Sequence, residues 1–398
     1  MPDRPRRLSV FSFCEFTNQW DTFQDSVNLQ YSLFIVRGAL TQKGLLRIAI
    51  QDNLTPESGS FFIHDIARHA WMGLVGAPMS GFDTSREAFL GPYRSYHNPL
   101  VVEQGHCTDS QAYGDNACGS LQANIELQPG ESRDLLLLLG IGDASTTGKD
   151  TMAQFGSLER AAAEFQKLKE HWGEKLHSLV VDTPDEELNH TLNVWGLYNS
   201  LVAYAWSRSA SLVYNGERDG LGFRDSVQDI LGVVAAIPEE SRQRLELLLT
   251  GQLASGGAMP VIRPFEHSPG HESPPEEYRS DDCLWFFNAI PAYVNETGDL
   301  DFYTQVLPYA DQGEATVFAH LRRALEFNLE RTGKHGLPCG LAADWNDCLR
   351  LGYYGESLFV AFQVRFGLTV YAEIAAQLGQ PEQAAWALAE RTKMDAHI

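Results

Sequence analysis

The chain has 398 residues, 44% hydrophobic and 11% aromatic, which is enough apolar material for a sizeable core and too much for a disordered chain. Its formal net charge is −22, and a surface this acidic repels phosphate backbones and anionic lipid heads, which argues against nucleic acid or membrane partners. No window approaches the ~18 consecutive apolar residues of a membrane span. The N-terminus lacks an apolar signal core, and the six cysteines form no CxxC pair, so the expectation is a cytoplasmic protein with ordinary thiols.

In chain order, the first part reads as strands and turns. "RRLSVFSFCEF" (Arg6–Phe16) alternates polar with apolar residues, as a half-buried strand does. "GLLRIAIQDN" (Gly44–Asn53) and "GSLQANIELQPGESRDLLLLLGIG" (Gly119–Gly142) continue the texture, with "QPGE" as a turn between two strands. Many strands with turn-rich connections suggest a β-sandwich. From Ser157 the period changes to a helical one, beginning with "SLERAAAEFQKLKEHWGEKLHSLV". Helical stretches then recur to "PEQAAWALAERTKM", joined by Gly- and Pro-rich loops such as "RPFEHSPGHESPPEEYRS". This suggests an α/α array with function carried on its loops. "PDRPRRLSV" enters a strand pattern at once, and "AERTKMDAHI" stops one short helix after a linker, so truncation at both ends is expected.

Three polar clusters could carry chemistry. "AWSRSASLVYNGERDGLGFRDSVQD" (Ala205–Asp229) holds Arg208, Arg218, Asp219, Arg224, Asp225, Gln228 and Asp229, with glycines making its middle a loop and "DSVQD" opening a helix. Guanidinium beside carboxylate offers planar donors and strong acceptors, which suits sugar hydroxyls; the alternative is a loop pinned by salt bridges. "YRSDDCLWFF" presents Asp281 and Asp282 ahead of Trp285, and here the alternative is helix N-capping. "ADWNDCLR" sets Trp345 between carboxylates after a Gly/Pro loop, where partial desolvation would raise a carboxyl towards the proton-donating range. Its alternative is a helix start capped by Asn346 or Asp347. His267 and His271 are spaced like metal ligands, but Ser-Pro-Gly lies between them and no third ligand is evident, so no metal is expected.

Taken together, "SRSASLVYNGERDGLGFRDSVQDILG", "YRSDDCLWFF", "KHGLPCGLAADWNDCLRLG", "GESLFVAFQ" and, in the β-rich part, "GFDTSREAFLGPYR" resemble the cellobiose phosphorylase family, glycoside hydrolase family 94. The resemblance covers nearly the whole chain and keeps the motif order. It implies a multidomain β plus α protein: an N-terminal supersandwich-like β-sandwich at 1–147, a helical linker at 148–187, and an incomplete (α/α)6 barrel at 188–398. It also implies inverting phosphorolysis of a β-linked glucosyl disaccharide to an α-sugar 1-phosphate and a free sugar. Asp347 would be the general acid and Trp345 a wall of the sugar site. Arg224 and Asp225 would bind hydroxyls of the transferred sugar, Arg208 and Arg218 match the upstream arginines, and Asp281 and Asp282 border the cleft. Inorganic phosphate is the co-substrate and nucleophile, and no metal or organic cofactor is implied. The phosphate pocket is expected beyond residue 398, and the full-length form is expected to be a homodimer.

Cellobiose is the default substrate, with laminaribiose or N,N'-diacetylchitobiose as alternatives. An inverting glycosidase and an inactive carbohydrate-binding fragment are the competing readings. The glycosidase would need a second carboxylate to activate water.

Overall fold

A computed structural model describes residues 4–16, 36–41, 44–50, 69–113, 117–207, 220–264 and 266–398. The chain divides into two compact units, Met1–His171 and Trp172–Ile398. The division falls within the helix α1 (Leu158–Leu176).

The first unit contains strands β1 (Arg6–Phe11), β2 (Cys14–Glu15), β3 (Val36–Leu40), β4 (Leu46–Ile50), β5 (Ala70–Val75), β6 (Met79–Ser85), β7 (Ala117–Leu127) and β8 (Leu136–Ile141). One antiparallel sheet is built around β7, which pairs with β1, β2 and β6; a second runs β3-β4-β5-β8. Val36, Leu46, Ile48 and Met72 of the second sheet share a buried cluster with Phe82, Ala117 and Leu121 of the first, as the inner faces of a sandwich do. The sequence of β7, "ACGSLQANIEL", lacks a clean alternation because its first half is covered on both faces. On the side away from the second sheet, Phe89, Leu90 and Val101 of two short helices pack against Cys118. The buried Asp83 of β6 accepts hydrogen bonds from the backbone and hydroxyl groups of both Thr108 and Ser110, which ties the following loop to the sheet.

The second unit is helical: α2 (Leu197–Trp206), α3 (Phe223–Leu231), α4 (Pro238–Leu249), α5 (Phe286–Thr297), α6 (Val317–Leu329), α7 (Leu358–Gln377) and α8 (Pro381–His397). These helices bury stripes spaced three or four residues apart. Val227 and Ile230 of α3, Leu245 and Leu248 of α4, Phe286 and Ile290 of α5, Leu321 and Leu325 of α6, and Val360, Val364 and Leu368 of α7 enter one core. Each such side chain stabilises the fold by about 1.5–3 kcal/mol relative to exposure. Gly379, at φ +66°, ends α7, and Pro381 opens α8. By length and composition alone α7 could cross a membrane, but half of that window is buried in this unit. Short strand pairs decorate the connections, among them Cys339–Leu341 with Gly352–Glu356, which brackets the "DWND" segment.

Candidate active site

The loop before α3 ends at Gly220 and Gly222. Gly220 has φ +104°, and a Cβ there would collide with Val261, so the turn into the Leu221–Gly222/Val261–Ile262 pairing requires glycine. From Gly222, α3 buries Phe223, Arg224, Ser226, Val227 and Ile230. Phe223 packs edge-on against Phe286 of α5, with ring centroids 5.5 Å apart. This rotation turns Arg224 inward and leaves it only 5% exposed.

Arg224 is the hub of the site. Its Nη1 donates to Asp281 Oδ1 at 2.8 Å and to the Asp344 carbonyl. Its Nη2 donates to Asp347 Oδ1 at 2.6 Å and to the Trp345 carbonyl at 3.4 Å. Arg279 Nε lies 3.5 Å from the same Asp347 oxygen. Two loops far apart in sequence thus meet on one guanidinium. Burial opposes the Arg224 charge, but Asp281, Asp282 and Asp347 outweigh it, and its pKa rises.

The "DWND" segment is a turn between the two strands of its hairpin, and no helix starts there. The next helix is α7, whose N-cap is Ser357. Asp344 builds the turn: its Oδ1 accepts the Asn346 N–H at 2.8 Å and its Oδ2 the Ser357 hydroxyl at 2.7 Å. Asn346 in turn accepts from the Cys348 N–H at 3.0 Å. Leu341, just upstream, is held at φ +55°, an uncommon conformation for a branched residue. With Asp344 spending its side chain on the turn, Trp345 and Asp347 face outward, 51% exposed for Trp345 and 64% for the Asp347 side chain. The loop therefore does not desolvate Asp347 as the sequence suggested; it projects the carboxylate and leaves its two ion pairs as anchors. Trp345 Nε1 lies 3.4 Å from Gln228 Oε1, and Gln228 donates to the Arg224 carbonyl at 3.1 Å, so the indole is tethered to α3.

Asp281 and Asp282 neither cap a helix through their side chains nor open onto solvent. Asp281 is 0% exposed, with Oδ2 accepting the Trp285 indole N–H at 3.0 Å. Burial raises its pKa, with Arg224 and the indole opposing. Asp282, also buried, is pushed up to about 8 by burial and then by Asp281, against the pull of Arg279 and Arg224. Its Oδ1 has no hydrogen-bond partner among the described residues. The pair expected to border the cleft is buried, with Asp281 bonded to Arg224 on the inner side. Their place after a Ser and before an apolar run reads equally well as a cap, which is why the sequence did not reveal it.

Asp225 lies partly exposed in the first turn of α3, its Oδ2 close to Gly222, where a Cβ would come within 3.1 Å of it. Arg208, Arg218 and Asp219 lie outside the described residues. Sequence reasoning missed Arg279, Trp285 and Ser357 as members of the site. Only the "RS" and "LW" flanks of "SDD" could have drawn attention to the first two. Of the histidines, His267 spends both ring nitrogens, at 3.0 Å each, on Glu272 and Thr250. Among the described residues no group of three or more His, Cys, Asp or Glu could hold a metal ion.

An exposed indole beside a carboxylate, with a buried guanidinium shared behind them, suits a polyhydroxylated ring. The ring's apolar face stacks on the indole while its hydroxyls take charge-assisted hydrogen bonds. Comparison with known proteins agrees with that class. Residues 171–398 match the glycosyl hydrolase 94 superfamily catalytic domain, and residues 2–158 match the glycosyl hydrolase 94 supersandwich domain. The chain belongs to the glycosyl hydrolase 94 superfamily.

It is 35% identical to an N,N'-diacetylchitobiose phosphorylase of Vibrio proteolyticus, covering 96% of this chain and 48% of that protein. It is 28% identical to a solabiose phosphorylase of Paenibacillus borealis, covering 97% of this chain and 47% of that one. A cellobionic acid phosphorylase of Neurospora crassa is 26% identical over 78% of this chain and 38% of its own length. The chain thus spans about half the length, or less, of these curated relatives.

Proposed function

We propose that this chain carries the sugar-binding and proton-donating part of an inverting disaccharide phosphorylase. The observation that carries the reading is Arg224 joining a buried carboxylate, Asp281, to an exposed one, Asp347, beside the half-exposed Trp345. In this mechanism Asp347 gives its proton to the glycosidic oxygen as the bond to the anomeric carbon breaks. Inorganic phosphate attacks that carbon from the opposite face, so a β-linked sugar leaves as an α-sugar 1-phosphate. Phosphate is already anionic and nucleophilic, and no second carboxylate is needed to activate water. Trp345 stacks on the transferred sugar and Asp225 binds its hydroxyls, with Arg208 and Arg218 joining it; the direct hydroxyl contact expected of Arg224 gives way to holding Asp347 from behind, because both its Nη groups are already spent within the protein. The helices of the second unit are part of an (α/α)6 barrel, whose antiparallel pairs place such loops at one end.

Among β-linked disaccharides, N,N'-diacetylchitobiose is the first to test, because relatives at 35% and 34% identity carry that substrate in their names, followed by cellobiose and laminaribiose. The test is sugar 1-phosphate release from this panel with and without phosphate, alongside quenching of Trp345 fluorescence by each sugar. Asp347→Asn is expected to lower phosphorolysis by about 100-fold or more while sugar binding persists. Sugar release that ignores phosphate makes the protein a glycosidase instead. Quenching without turnover, in this chain and in a version extended at both ends, makes it a carbohydrate-binding protein.

A further inference from the structure

We infer that Asp281, held by Trp285, is a positioning residue that sets the Asp347 carboxylate through Arg224. The path is continuous: Trp285 Nε1 to Asp281 Oδ2 at 3.0 Å, Asp281 Oδ1 to Arg224 Nη1 at 2.8 Å, and Arg224 Nη2 to Asp347 Oδ1 at 2.6 Å. It crosses three pieces of structure: the tight helical turn Asp282–Trp285, the helix α3 and the "DWND" turn. At the inner end Asp281 has no exposed surface and therefore no route to a substrate; at the outer end Asp347 is mostly in solvent. A carboxylate on an exposed turn has no packing of its own to fix its direction. Here the direction comes from a guanidinium whose planar fork is locked at its buried edge.

Among the described residues, other charged groups meet this line from neighbouring segments. Arg279 reaches Asp347 from the segment before Asp281, and Asp282 and Asp225 flank Arg224. On the turn itself Asp344 is occupied by Asn346 and Ser357, and Arg350 pairs with Glu277. Asp281 is thus the buried acid whose hydrogen bonds run to Arg224 on one side and to the indole on the other. Removing its charge leaves Arg224 balanced mainly by Asp347.

The inference rests on Asp347 being the proton donor proposed above, and its test has an arm that needs no turnover. In the intact chain, the Asp347 carboxyl carbon is followed by NMR at one fixed pH, assigned by its loss in Asp347→Asn. Asp281→Asn is expected to move that resonance, because the guanidinium that holds the carboxylate loses its buried anchor. Trp285→Phe keeps every charge and removes only the indole N–H, and it is expected to speed solvent exchange of the Arg224 guanidinium protons several-fold. In phosphorolysis, Asp281→Asn is expected to lower kcat about 10- to 100-fold with KM changed less than about twofold. A folded Asp281→Asn with an unmoved Asp347 resonance overturns the inference, and so does Trp285→Phe with unchanged Arg224 exchange. Should Asp281→Asn not fold, Trp285→Phe decides alone. A wild-type chain without phosphorolysis or sugar binding removes the functional reading instead, and the two NMR arms still report whether Asp281 sets Asp347.

Discussion

At the scale of single residues, Arg224 separates what a guanidinium can do from what any cation can do. It serves Asp281 and Asp347 through different nitrogens of one plane. A lysine ammonium is a single point that cannot span both oxygens. Arg224→Ala leaves Asp281 buried without its counter-charge and is expected to destabilise the second unit by about 3–5 kcal/mol, read by denaturant unfolding. Arg224→Lys should recover little of that, and recovery to wild type would show that charge alone suffices. Asp282 makes a separate prediction about pH. Its folded pKa of about 8 stands above the ordinary 3.8. Between these values the folded chain holds a proton that the unfolded chain releases, so stability falls as pH rises through that window. Asp282→Asn imitates the protonated acid and should flatten this fall, giving a higher Tm than wild type near pH 8; an unchanged slope places the proton elsewhere. Arg224, Trp345 and Asp347 stand among the sequence candidates through the ordered motifs and the family resemblance, and the structure brings the three side by side. The burial of Asp281 and the reach of Arg279 could not, since both depend on segments that meet only in the folded chain.

At the scale of elements, the helices follow from their period, and the segments read as helical between Ser157 and Met394 lie on helices α1 to α8 or on the shorter turns beside them. "DWND" shows where that kind of reading stops. Asp and Asn ahead of apolar residues signal a helix start, yet the segment folds as a turn. The decision is made thirteen residues away, where Ser357 both caps α7 and donates to Asp344 Oδ2. The cap accepts the Val360 N–H at 3.3 Å, and its loss costs about 1 kcal/mol. In Ser357→Ala the buried Asp344 also loses a donor, so the turn that aims Asp347 should loosen along with the helix end. The expected outcome is a Tm lower by about 2–4 °C together with weaker quenching of Trp345 by sugars, both restored in Ser357→Thr. A lower Tm with sugar quenching intact would mean that the turn holds its shape without the serine.

At the scale of the whole molecule, the change from alternating to helical texture foretold a β-rich unit followed by a helical one. The double coverage of β7 and the short strands among the helices were hidden, because neither leaves a periodic trace. Two bulk properties now act against each other. The net charge of −22 makes copies of the chain repel. The helix α7, however, presents Phe359, Phe362 and Phe366 at 43%, 51% and 44% exposure, spaced three and four residues apart on one stripe. Exposed apolar surface in a continuous stripe favours association, and repulsion between like-charged surfaces is long-ranged only while salt is low. With a screening length of about 30 Å at 0.01 M and about 8 Å at 0.15 M, added salt removes the repulsion and leaves the apolar attraction in place. Sedimentation velocity of the chain should therefore show more association at 0.15 M salt than at 0.01 M, and Phe362→Glu with Phe366→Glu should abolish the difference without altering helix content. A chain whose association falls as salt rises would instead be held by charge pairs, and the phenylalanine stripe would play no part in it.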